Sequence, residues 1–148
     1  MSTSAIGTIK TAIKTALDAT SKFGSVYTDC RERIENPSPA SVMMFHDSGN
    51  QETETYGSFR RASNLILYLF VPRLAANGDA AMQQQMDTSL EDLLQVFIDN
   101  PTLTDTVEWC MADSWDISVA QETQGDGKVV TRMIAEVRVS ARYKVEAS

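Results

Sequence analysis

Apolar positions along this chain fall into one unbroken run and several periodic stretches. The run is Leu65–Val71, LILYLFV, seven consecutive apolar residues ended by Pro72. A run this short predicts a strand buried on both faces near the centre of a sheet, because a core helix normally runs longer. Pro72 removes a backbone donor and fixes φ, so the strand stops there. Ile6, Ile9, Ile13 and Leu17 recur at spacings of three and four. They predict an amphipathic helix over Thr3–Thr20, capped by Ser2, Thr3 or Ser4 and stopped by Gly24, with Lys10 and Lys14 on another face. A second helix is predicted over Asp79–Ile98. Its stripe is Met82, Met86, Leu90, Leu93, Leu94, Phe97 and Ile98, its cap Asn77 or Asp79, and its stop Asn100-Pro101.

Shorter patterns fill the remainder. Val26–Tyr27 and Ser41–His46 read as strands, and Asn36-Pro37-Ser38-Pro39 breaks regular structure between them. Asp47-Ser48-Gly49-Asn50 reads as a turn, and Glu52–Tyr56 as a solvated edge or loop. Arg60 and Arg61 then lead into the central strand at Ala62. Pro101–Trp109 is a linker or a short turn of helix. Trp115, Ile117 and Val119 alternate with polar residues, and Gln124-Gly125-Asp126-Gly127-Lys128 forms a hairpin turn. The returning strand alternates from Val129 to Val145. Met133, Ala135, Val137, Val139, Ala141 and Tyr143 share one face, and Arg132, Glu136, Arg138, Arg142 and Lys144 the other. The order is helix, strands, helix, hairpin. It predicts an α+β fold: a mostly antiparallel sheet with two main helices packed on it and a C-terminal β-hairpin, in one domain spanning residues 1–148.

Composition narrows the function. The chain has 148 residues, 43% of them hydrophobic, enough for a core without disulfides or metal. Its net charge of −7 makes it a poor grip for nucleic acid. The two cysteines, Cys30 and Cys110, are read as reduced, buried structural thiols in a cytoplasmic setting. No window approaches the ~18 apolar residues of a membrane span, and the spaced apolar residues of the N-terminus do not form a signal peptide.

The charge is segregated. Between Arg73 and Lys128 lie 54 residues without Lys or Arg but with eleven acids, while the rest of the chain carries thirteen bases and nine acids. Solvated faces account for this in the simplest reading. A sharper one is a pair of complementary surfaces, with Arg132, Arg138, Arg142 and Lys144 of one subunit meeting Asp87, Glu91 and Asp92 of the next. Acids lining a channel would also repel DNA phosphates and keep a passage slippery.

Candidate chemistry is sparse. His46, the single histidine, ends an apolar strand and reads as structural or solvent-facing. Cys30 has Arg31 and Arg33 beside it but no base partner. Asp113 and Asp116 flanking Trp115 are a weak cation pair. Trp109 and Trp115 read as core or interface anchors. No catalytic, metal or cofactor motif emerges, so neither an enzyme nor a cofactor is expected.

With these segments in hand, the layout resembles tail terminator and other tail-completion proteins of long-tailed bacteriophages. The resemblance rests on IGTIKTAIKTAL, then PSPASVMMF, then NLILYLFVPR, then a helix ending in NPTLTDTVEW, and finally WDISVAQETQGDGKVVTRMIAEVRVSARYKV. It implies a mixed α/β structural subunit of a hexameric ring. That ring would cap the tail tube protein, stop tube growth and receive the head-completion or neck proteins, with DNA passing through its lumen without specific binding. It also implies assembly in the host cytoplasm and a place in the virion tail. Two alternatives stay open: a head–tail joining protein, or a small cytoplasmic α+β ligand-binding or enzyme domain.

Overall fold

The computed structural model describes residues 5–30, 34, 39–72, 78–123, 125, 127 and 129–146. The elements in chain order are α1 (Ala5–Ala19), β1 (Ser25–Tyr27), β2 (Ser41–Thr55), β3 (Ser58–Pro72), α2 (Gly78–Asp99), β4 (Trp109–Thr123) and β5 (Val129–Glu146). The strands form one sheet in the order β1-β2-β3-β5-β4, with β3 at its centre. Every pairing is antiparallel except β1 with β2. This is an α+β fold whose last two strands form the expected hairpin.

Burial alternates strictly along β3: Leu65, Leu67, Leu69 and Val71 are buried, whereas Ile66, Tyr68 and Phe70 are half-covered. The seven-residue run is therefore packed fully on one face, not on both. β5 lies beside β3 and contributes Met133, Ala135, Val137, Val139, Ala141 and Tyr143 to the same buried layer. Ile9, Ile13 and Leu17 of α1 join Met82, Met86, Leu90, Leu93, Val96 and Phe97 of α2 in a single core with these strand residues. Both helices thus cover one side of the sheet. The polar Ser63 is tolerated in that layer because its hydroxyl pairs with Tyr143 Oη at 3.0 Å.

The helix patterns hold with exceptions. Ile98, placed on the α2 stripe by periodicity, is 69% exposed, and Val96 is buried instead. The reading of Gly24 as the stop of α1 is corrected: the left-handed residue is Ser21 (φ 57°), whose amide donates to Asp18 O. At the end of α2 the Asn100 side chain and backbone amide both donate to Val96 O. The proposed caps Ser2, Thr3, Ser4 and Asn77 and the breaker positions 36–38 lie outside the described residues. So does the side chain of Asp79, and so do Gln124, Asp126 and Lys128 of the hairpin turn.

The largest departure lies between 47 and 61. The predicted turn at Asp47–Asn50 is strand, and β2 continues to Thr55, absorbing Glu52–Thr55. Polar and glycine content suggested a reversal, but the register accommodates Asp47 as a β-bulge between His46 and Ser48. The chain reverses at Tyr56-Gly57, where Gly57 has φ 78°, and β3 starts at Ser58, ahead of the expected entry at Ala62. Gly49 is packed so closely that a Cβ there would sit 2.8 Å from Ala62 O. The segment after α2 is also not a simple linker. Leu103, Thr104 and Asp105 all have positive φ, a strained turn held by amides of Thr106 and Val107 donating to Thr102 O and by burial of Leu103.

Leu67 and Ile98 differ in burial, 0% against 69%, and this sets the first expectation. Leu67→Ala should lower unfolding stability by about 3 kcal/mol in a urea titration, and Ile98→Ala by less than about 0.5 kcal/mol. Equal losses would contradict a one-sided core.

Candidate subunit interface

The even positions of β5 point away from the helices, so Arg132, Arg138, Arg142 and Lys144 lie on the helix-free face of the sheet. Cross-strand neighbours engage them within the chain. Arg138 Nη1 donates to Asp116 Oδ2 of β4 at 2.7 Å. That hydrogen bond, followed by the carboxylate's charge, raises the Arg138 pKa above its usual value. The Arg142 guanidinium stacks 5.2 Å from the centre of the Trp109 ring. Lys144 Nζ lies 3.4 Å from Glu54, which also holds Arg60 at 2.8 Å. Arg132 has an interaction within the chain as well. The basic stripe is therefore largely matched before any second subunit arrives, and its pairs are exposed and salt-screened.

The acids stand on the other layer. Asp92 of α2 is 3.4 Å from Lys22. Asp87 and Glu91 are exposed and have no ion-pair partner among the described residues. The structure thus keeps the two predicted sets apart, on opposite sides of the two-layer fold.

A polar row divides the helix-free face. Asn64 Nδ2 donates to Ser48 Oγ at 3.1 Å, and Ser140 Oγ lies 3.0 Å from Asn64 Oδ1 and also bonds the Asp113 carboxylate. The row joins the β2 bulge at Asp47 to the β4 bulge at Asp113. On one side of it lie Phe45, Ile66, Tyr68, Phe70 and Ile134, half-covered or exposed. On the other are the charged pairs of Arg60, Glu54 and Lys144. Asp113 and Asp116 serve this face separately, one bonding Ser140 and the other Arg138, rather than as a joint cation pair.

The edge strand β4 carries a surface that periodicity misplaces. Trp115, Ile117 and Val119 pair in register with Val137, Ala135 and Met133, whose side chains are buried. They share the core face, yet they are 46%, 43% and 57% exposed, because the helices do not extend over this margin. Period two reports which residues share a face. It does not report where the covering layer ends. Beside them a groove of about 550 Å³ runs between α2 and β4, lined by residues including Leu94, Phe97, Ile98, Met111 and Trp115. Asp87, Glu91, Leu94 and Ile98 fall on one stripe of α2 at helical spacing, so the groove has an acidic shoulder.

The groups considered for chemistry are scattered. His46 is exposed at the β2 bulge. The expectation of burial fails for Cys30, which is exposed near the sheet edge, with its thiol 3.7 Å from Met44 O. Cys110 is buried, and burial, helped by the Asp113 charge, pushes its thiol up to about 12. Among the described residues no three His, Cys, Asp or Glu side chains are grouped so as to hold a metal ion, and no helix is long and apolar enough to cross a membrane. No family model matches the chain, and no curated protein matches it. What the geometry offers is contact surface: an apolar edge with an acidic shoulder, and a charged sheet face behind it.

The two thiols should separate cleanly. A disulfide reagent at about pH 8 should modify Cys30 alone in the native protein and both cysteines in denaturant. Because the folded Cys110 pKa lies above its unfolded value, its contribution to stability is complete below the unfolded pKa and is lost as pH rises towards about 12. Stability measured by urea titration should decline over that alkaline window. Native labelling of both thiols would contradict the burial.

Proposed function

We propose that this chain is a structural virion protein of a long-tailed bacteriophage, a tail terminator. Copies of it form a ring, six in the resembling proteins, that caps the tail tube, stops its elongation and provides the surface to which the head attaches. DNA passes through the lumen. The ring assembles in the host cytoplasm and remains in the virion tail.

The observation that carries this reading is that the acids of α2 and the bases of β5 stand on different layers. A head-to-tail ring needs two different surfaces on each subunit. Here Asp87, Glu91 and Asp92 lie on the helical layer, and Arg132, Arg138, Arg142 and Lys144 lie on the opposite face of the sheet. Most of the bases already have partners inside the chain, so Asp87 and Glu91 have the most to gain from a neighbour. The element order supports the same reading, since the helix, long apolar strand, helix and closing hairpin are those on which the resemblance rests. An acid-rich flank is also compatible with DNA transit, because it repels phosphate instead of holding it.

Tails assembled without the protein should grow well past their normal length in electron micrographs, and supplying it should restore a single length. The double variant Asp87→Lys, Glu91→Lys should keep the circular-dichroism spectrum of the folded subunit but fail to restore length control. Normal tail lengths in the absence of the protein would contradict the proposal.

A further inference from the structure

The two edges of the sheet are built differently. Beyond its pairing with β1 at Ser41–Met43, β2 has no strand partner on this edge among the described residues; past Met44 and the exposed Phe45 the edge runs from His46 to Thr55. It has bulges at both ends of this stretch, the acids Asp47, Glu52 and Glu54, and no apolar residue. These are devices that discourage strand addition. Strand β4 also carries acids, Asp113, Asp116 and Glu122, and a single bulge between Ala112 and Ser114, but beyond that bulge it runs regularly to Thr123 with no Lys, Arg or Pro. Nothing among the described residues pairs with its outer edge. Its exposed Trp115, Ile117 and Val119 complete the contrast: β2 is protected, and β4 is left ready to pair.

We propose that β4 pairs with β4 of a second copy, antiparallel and around a twofold axis at Ile117, to form one continuous ten-stranded sheet. Register selects this arrangement. Centred on Ile117, the pairing sets Ile117 against itself and Trp115 against Val119 twice, an aromatic on a β-branched residue. On the other face Asp116 meets Ser118. Centred on residue 116, it would oppose two Asp116 carboxylates. Centred on residue 118, it would leave Trp115 without an apolar partner. The β2 edge of a second copy also runs in a direction suited to antiparallel pairing, but it would place polar side chains over the apolar stripe and bring Glu52 and Glu54 against an acidic strand. Of these arrangements, the isologous β4 contact centred on Ile117 is the one that is apolar on the core side and free of opposed acids within the strand pair.

The axis stands perpendicular to the sheet, so both helical layers lie on the same side. The two apolar edges then form one patch between the paired α2 helices. Asp87 and Glu91 of the two copies flank it with like charge. Salt therefore tightens the dimer by screening, the reverse of what a contact between opposite charges would show. This pairing goes beyond the ring and does not depend on it. It describes the free protein, whose edge is covered until another surface replaces it.

Light scattering on the purified full-length chain tests the mass, and a cysteine tests the symmetry. The free protein should have twice the mass of one chain, and the dimer fraction should rise between about 50 and about 500 mM salt. Ile117→Lys should yield a folded monomer. In a Cys30→Ser background, Ile117→Cys should become a covalent dimer on oxidation, because only a twofold at residue 117 brings that position onto itself. A monomer at high concentration, a dimer that dissociates as salt rises, or a dimer that leaves Ile117→Cys unlinked would each overturn the pairing. None of these results bears on whether tails lose length control.

Discussion

Everything else in this fold depends on one packing decision: both helices cover the same side of a long antiparallel sheet. Leu65, Leu67, Leu69 and Val71 of β3 and Val137, Val139 and Ala141 of β5 are closed from water by α1 and α2. At about 25 cal/mol per Å² of apolar surface removed from water, that layer is the dominant favourable contribution to folding. Its one-sidedness has a consequence. The opposite face has no helical cover, and cross-strand ion pairs, the Arg142–Trp109 stack and the row from Ser48 to Asp113 occupy it.

The same decision explains which parts of the fold could be read from residues alone. Two amphipathic helices, a central strand ending at Pro72 and a hairpin closing the chain follow from periodicity and punctuation, and all are present. The reading failed where local composition competed with pairing. Asp47-Ser48-Gly49-Asn50 has turn chemistry, yet thirteen register pairs with β3 hold it as bulged strand. Leu65–Val71 has no polar residue, yet only alternate side chains reach the core. Uniform apolarity cannot distinguish a covered face from an open one.

For the candidate site, the sequence pointed to charged residues but not to their partners. Charge segregation drew attention to β5 and α2, and both present their charges outward. The partners of those charges were hidden, because Asp116 and Glu54 come beside Arg138 and Lys144 only through the β4–β5 and β2–β3–β5 registers. The apolar edge was hidden for a related reason. Trp115, Ile117 and Val119 have the pattern of core residues, and they lie open because the helical layer stops short of this margin. The result is a subunit with no grouped chemistry among its described residues and two unlike edges, one protected and one prepared for contact. The proposed terminating role rests on such contact surfaces.

That role can be tested by direct imaging. Gold-labelled protein added to purified tail tubes should appear in negative stain as a ring at one end of each tube, and nowhere along its length. Protein that leaves tubes undecorated, or coats their sides, would contradict a terminating role.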